Sequence, residues 1–297
     1  MNYGITETQK DKIIEKWGND FYLKVLQEIE TYSEKWKLSN FVFVEYYSFN
    51  AIFLCKSELH GDCVLKMYSE DFEYDFLREY KGRLFVKAFE YDDIILLERV
   101  IPGTTLKHEV SLEKRLAVFS ELFNGLHIEP KNPEIFPSYT DWVYNRVEYM
   151  KTREECEELY AYMLKAKEIY TEMLTVYNKK ALLHGDLNCD NILLSSDGKY
   201  KIIDPLSYIG DPVFEFGRHI SYEYRNGKSV NKYETITKII EYFEKSLNIP
   251  NKILRQCFYI DIVADKCCRV EGGDTGDLSD VKFAENIITD RNKQVSF

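Results

Sequence analysis

The chain has 297 residues, 45% hydrophobic and 30% charged, which suits one two-lobed globular domain or two modest ones. Its formal net charge, from 39 Lys and Arg against 50 Asp and Glu, is −11, which disfavours broad contact with a nucleic-acid backbone and suits a cationic ligand. Seven scattered cysteines without a CxxC pair argue against a disulfide framework or structural zinc, and no signal-like or membrane-length apolar run occurs, so a cytoplasmic protein with no membrane contact is expected.

Residues 7–37 read as helical, with Ile13, Ile14, Trp17, Phe21, Val25 and Ile29 at roughly helical spacing. Residues 40–68 carry β-branched and aromatic runs broken by polar turns, which predicts a three-stranded meander. A helix follows over 69–83, with Ser69 as N-cap and Gly82 as its stop. Residues 84–100 give two more strands around the Asp92–Asp93 turn, and Pro102–Gly103 breaks the chain. Helical patterns then run over 105–126, 139–178 and 212–290, the last with a loop near 271–280. Residues 184–204 interrupt them with a hairpin turning at Ser195–Gly198. The expected fold class is α+β: an N-terminal antiparallel sheet with one helix, then a larger, mainly helical lobe. The expected division is 1–100, a nucleotide-binding lobe with a leading helix, and 101–297, a catalytic and acceptor-binding lobe.

The informative stretch is HGDLNCDN at 184–191, followed by Ile203-Asp204-Pro205. Transfer of a γ-phosphoryl group needs a carboxylate to accept the incoming hydroxyl's proton and oxygen ligands for Mg²⁺. Asp186 supplies the first. Asn191, five residues on, can turn its amide oxygen toward a metal, and the hairpin brings Asp204 back to share it.

These motifs resemble those of the aminoglycoside phosphotransferase family, which includes choline, homoserine and antibiotic kinases and shares the protein-kinase-like fold. Protein kinases carry H-R-D and D-F-G where this chain has His184-Gly185-Asp186 and Asp204-Pro205. Both departures match the small-molecule branch. The resemblance implies Mg²⁺ and ATP or GTP as co-substrate. It casts Lys66, in a predicted strand, as the lysine of the α- and β-phosphates, with Glu73 as its partner and Glu79 as runner-up. Ser48 and Asn50 stand where kinases place a phosphate-cradling turn. Glu98 and Val100 resemble the hinge, where backbone groups meet the nucleobase. His184 is expected to buttress the loop, and Asp211 to hold it, with Glu215 where an Asp is more usual.

The resemblance favours a kinase acting on a hydroxyl of an aminoglycoside-type antibiotic, as a monomer or weak dimer. A metabolite kinase, or a catalytically silent kinase-fold binding protein, is the alternative. The acceptor itself is expected to be cationic. The Gly-rich segment 271–277, with Glu271, Asp274 and Asp277, is its expected landing place or else an ordinary surface turn.

Overall fold

A computed structural model of the chain describes residues 3–44, 51–67, 71–92, 94–227, 231–274 and 276–289. The leading helical pattern is two helices, α1 (Glu7–Trp17) and α2 (Asn19–Lys35). Gly18 separates them at φ 90°, a value side chains disfavour, so the helical stretch 7–37 is divided in two. At the start of α1, Thr6 and Gln9 form a reciprocal capping box. The meander follows as β1 (Leu38–Val44), β2 (Ala51–Ser57) and β3 (Gly61–Met67), then α3 (Asp71–Tyr80), β4 (Ala88–Tyr91) and β5 (Ile94–Glu98). Ser69, the expected N-cap of α3, lies outside the described residues.

Pro102–Gly103 does not only break the chain; it opens a short strand, β6 (Pro102–Thr105). Proline suits a first strand position because it has no N–H to give to a ladder. Then come α4 (Leu112–Leu126), α5 (Tyr139–Lys151) and α6 (Glu157–Met173), the last two separated by an irregular turn where 139–178 reads as one helical pattern. Two three-residue strands, β7 (Ala181–Leu183) and β10 (Tyr208–Gly210), bracket the hairpin strands β8 (Ile192–Ser195) and β9 (Tyr200–Ile202). The chain finishes with α7 (Glu215–Asn226), α8 (Lys232–Leu247), α9 (Asn251–Glu271) and α10 (Ser279–Thr289).

Two compact units result. The first comprises Met1–Thr104 and Leu193–Ile203; the second comprises Thr105–Ile192 and Asp204–Phe297. In the first, an antiparallel sheet has the order β1-β2-β3-β5-β4. Its core joins Ile13, Val25, Ile29, Tyr32 and Trp36 of the leading helices to Phe53, Leu65 and Leu96 of the sheet. Phe76 and Tyr80 of α3 pack against Phe85. A second sheet has the order β6-β8-β9.

In the second unit, α4, α7 and α8 bring Phe119, Phe216 and Phe243 into mutual ring contact. Helices α7 and α9 cross at Gly217, where an added Cβ would lie 2.6 Å from the Cys257 carbonyl oxygen and 2.9 Å from Asp261 Cβ. That close crossing brings the next residue, Arg218, within reach of the acidic face of α9. No helix among the described residues is long and apolar enough to cross a membrane.

Candidate active site

The segment after β7 is held by its backbone. Gly185 takes φ +79°, and a Cβ there would fall 2.6 Å from the Tyr208 ring, so only glycine fits without displacement. The buried Glu215 carboxylate, at the first turn of α7, accepts the N–H of His184 and, at 3.2 Å, that of Gly185. The free N–H groups of a helix start favour a negative charge in that place. Asp211, expected to hold this loop, instead accepts the N–H groups of Val213 and Lys179, both at 3.0 Å, and caps the turn before α7. The holding role thus passes to Glu215, one turn further on. His184 is fully buried; its Nδ1 accepts the Asp186 N–H at 3.1 Å, so the ring buttresses the loop.

Asp186 itself has both carboxylate oxygens engaged. The Asn191 amide donates to Oδ2 at 3.0 Å and to the Asp186 carbonyl at 2.9 Å. Arg218 Nε lies 3.3 Å from Oδ1. The Asp186 side chain nevertheless stays 32% exposed, open to solvent. Arg218 is the site residue the sequence reading missed. Its guanidinium also meets Asp261 Oδ1 at 3.4 Å and Asp265 Oδ1 at 3.2 Å. Burial opposes its charge, but Asp261, Asp186 and Asp265 outweigh that and raise it above the usual arginine value. Burial also raises the Asp261 carboxyl, against the opposing pull of Arg218.

Asn191 and Asp204 flank the β8–β9 hairpin, immediately before its first strand and two residues after its last. With its nitrogen committed to Asp186, the Asn191 amide turns its Oδ1 the other way. Asp204 adopts φ +60°, a left-handed conformation that Asp tolerates better than most residues. An amide oxygen plus a carboxylate is a hard donor set that fits Mg²⁺.

In the first unit, Lys66 pairs with Ile52 on one side and Ile95 on the other, so it sits on an interior strand. Its Nζ lies 2.6 Å from Glu73 Oε2 on α3, both residues being buried, so the preferred partner Glu73 is paired with it. Such a pair is stable only as a pair. The Glu98 N–H donates to the Lys87 carbonyl, and its carboxylate accepts the Lys87 N–H and lies 3.7 Å from Lys201 Nζ. Val100 lies two residues beyond, half-buried, just past the end of β5. Ser48 and Asn50 lie outside the described residues.

The carboxylates of the 271–277 segment have partners within the chain. Glu271 pairs with Arg146. Asp274 pairs at 2.8 Å with the buried Lys266, and that hydrogen bond lowers its carboxyl below the usual range. Asp277 accepts the Ser279 N–H at the start of α10. A further cluster, Cys189, His219 and Glu223, places metal-type ligand atoms within 4.8 Å of one another. Arg115, however, grips Glu223 through two hydrogen bonds of 2.6 and 2.7 Å, so that carboxylate already has its cation.

Several solved structures share this architecture. The choline kinase LicA from Streptococcus pneumoniae is 13% identical, with a TM-score of 0.56 over 91% of this chain and 99% of its own. A thermostable mutant of the aminoglycoside phosphotransferase APH(4)-Ia, in ternary complex with ADP and hygromycin B, is 13% identical, with a TM-score of 0.58 over 90% of this chain and 98% of its own. The choline kinase from Cryptosporidium parvum Iowa II is 12% identical, with a TM-score of 0.59 over 86% and 88%. At such identities the likeness shows the fold, which is the protein-kinase-like one. No curated protein matches the sequence. The family model of aminoglycoside/hydroxyurea antibiotic resistance kinases matches residues 61–266, a span that holds Lys66, Asp186, Asn191 and Asp204. The chain therefore belongs to that family and is a small-molecule kinase, a phosphotransferase with an alcohol group as acceptor.

Proposed function

We propose that this kinase transfers the γ-phosphoryl group of ATP or GTP to a hydroxyl of an aminoglycoside-type antibiotic in the cytoplasm, a compartment that suits its seven free thiols. The observation that carries the reaction type is the Asp186 carboxylate, fixed on both oxygens yet open to solvent. In this reading Asp186 takes the acceptor hydroxyl's proton as the acceptor oxygen bonds to the γ-phosphorus and the bond to the β-phosphate oxygen breaks. The nucleoside diphosphate then leaves. Lys66, anchored by Glu73, meets the α- and β-phosphates. Asn191 Oδ1 and the Asp204 carboxylate would hold Mg²⁺, which neutralises phosphate charge when bound. Glu98 and Val100 are proposed to meet the nucleobase through their backbones. The antibiotic class rests on the family match.

A nucleotide-consumption screen over aminoglycosides, choline, homoserine and simple sugars tests this, with Asp186→Ala as control. Turnover with aminoglycosides that the control loses, while still binding nucleotide, supports the reading. Turnover confined to choline, homoserine or sugars would make it a metabolite kinase, and turnover unchanged in the control would remove Asp186 from the mechanism.

A further inference from the structure

We infer that Arg218 is a positioning residue for phosphoryl transfer: moored to Asp265 on α9, its guanidinium keeps the Asp186 carboxylate turned so that Oδ2 meets the acceptor hydroxyl. The inference deepens the reading of Asp186 as the base and rests on it.

The mooring is directional. Arg218 Nη1 donates to Asp265 Oδ1 at 3.2 Å. Asp265 is itself fixed by Arg225, 2.8 Å away, and by Arg269, 3.2 Å away on the next turn of α9. Arg225 and Arg269 in turn reach Asp280 on α10 at 4.0 and 3.9 Å. One end of the guanidinium is thereby tied to a network spanning α7, α9 and α10. The other end is different. Nε lies 3.3 Å from Asp186 Oδ1 and 3.4 Å from Asp261 Oδ1, yet makes an aligned hydrogen bond to neither. A buried N–H midway between two carboxylates attracts both without being committed to one.

The consequence for Asp186 follows from its other contact. A carboxylate has two oxygens and one soft torsion that exchanges them. Asn191 holds Oδ2 through a single 3.0 Å bond and would by itself permit rotation. With a cation 3.3 Å from Oδ1, rotation must break both contacts together. The remaining lone pairs of Oδ2 therefore keep one direction. Geometry of this kind matters to rate, since a misplacement of about 1 Å at a reacting group can cost about 100-fold. Lysine is not equivalent here, because only the planar fork reaches Asp265 with one nitrogen and Asp186 with another.

The test uses slow nucleotide hydrolysis, in which water is the acceptor, so no acceptor need be known. In Arg218→Ala, kcat for hydrolysis is expected to fall by about 100-fold with nucleotide KM unchanged. Added guanidinium ion is expected to restore part of it, which a merely structural role would not allow. Arg218→Lys should keep the fold, judged by thermal melting, and still lose kcat. A crystal structure of Arg218→Met should show the Asp186 carboxylate rotated off Asn191 Nδ2. An unmoved carboxylate, or Arg218→Lys at wild-type kcat while Asp186→Asn is impaired, would overturn the inference. Hydrolysis unchanged in Asp186→Asn would instead overturn the reading of Asp186 on which it rests.

Discussion

Glu215 offers the sharpest test of how the loop after β7 is held. Its carboxylate, 2% exposed, is the acceptor for the N–H groups of both His184 and Gly185. Glu215→Ala leaves two interior donors without that acceptor, each worth about 1–3 kcal/mol, so about 2–6 kcal/mol together. Against a total of about 5–15 kcal/mol this is a large fraction. At roughly 2–4 °C per kcal/mol, a loss of about 4 kcal/mol lowers Tm by about 8–16 °C. Glu215→Gln keeps one acceptor oxygen but turns an NH₂ toward the other donor, so its loss should be intermediate. Glu215→Asp retains both oxygens on a shorter stem and should be the mildest of the three. Scanning fluorimetry gives the stability, and hydrolysis of nucleotide gives the rate, which should fall in all three as the loop shifts. A Glu215→Ala protein melting within about 2 °C of wild type would refute the assignment.

Lys66→Ala should destabilise by about 3–5 kcal/mol, because Glu73 loses its buried cation, and should raise the nucleotide KM. Combining Lys66→Met with Glu73→Gln should restore stability in urea titrations but not the KM; a restored KM would contradict the phosphate role. Asp204→Ala should abolish Mg²⁺-dependent nucleotide binding in calorimetry, with Asn191→Ala milder, and equal metal affinity in the Asp204 variant and wild type would sink that assignment. Burial lowers the His219 imidazole to about 4, so the folded protein keeps it neutral while the unfolded chain protonates it below about pH 6.5. Its contribution is therefore full above about 6.5 and is lost as pH falls toward 4, by up to about 3 kcal/mol. Urea unfolding across that window should show a shallower pH dependence in His219→Leu, and an identical slope would refute the shift.

Local signals were read well wherever one stretch of chain carries its own reason. Within residues 40–68 the polar turn at His60–Asp62 falls between β2 and β3, where the break in the apolar pattern places it. The pattern HGDLNCDN carries the resemblance to the family whose model matches residues 61–266. What escaped depends on partners distant in sequence. The strands β7 and β10, three residues each, depend on pairing between segments distant in sequence. Gly18 breaks a helix that continuous periodicity hides. Glu215 and Asp211 are four residues apart with similar side chains, and only the fold decides which meets the loop. Arg218 carries no motif at all; it becomes a site residue because Gly217 lets α7 touch α9.

The Cys189 thiol lies within the HGDLNCDN motif, fully buried and 3.4 Å from a Glu223 oxygen. Burial and then the Glu223 charge push the thiol far above its usual value, so almost no thiolate forms there. Alkylating agents and peroxides attack the thiolate. Despite its address, Cys189 should thus be among the least reactive thiols of the protein. Cys156, half-buried in the turn between α5 and α6, is the better handle for a fluorophore. A maleimide placed there would label the second unit while leaving the segment 184–191 chemically untouched.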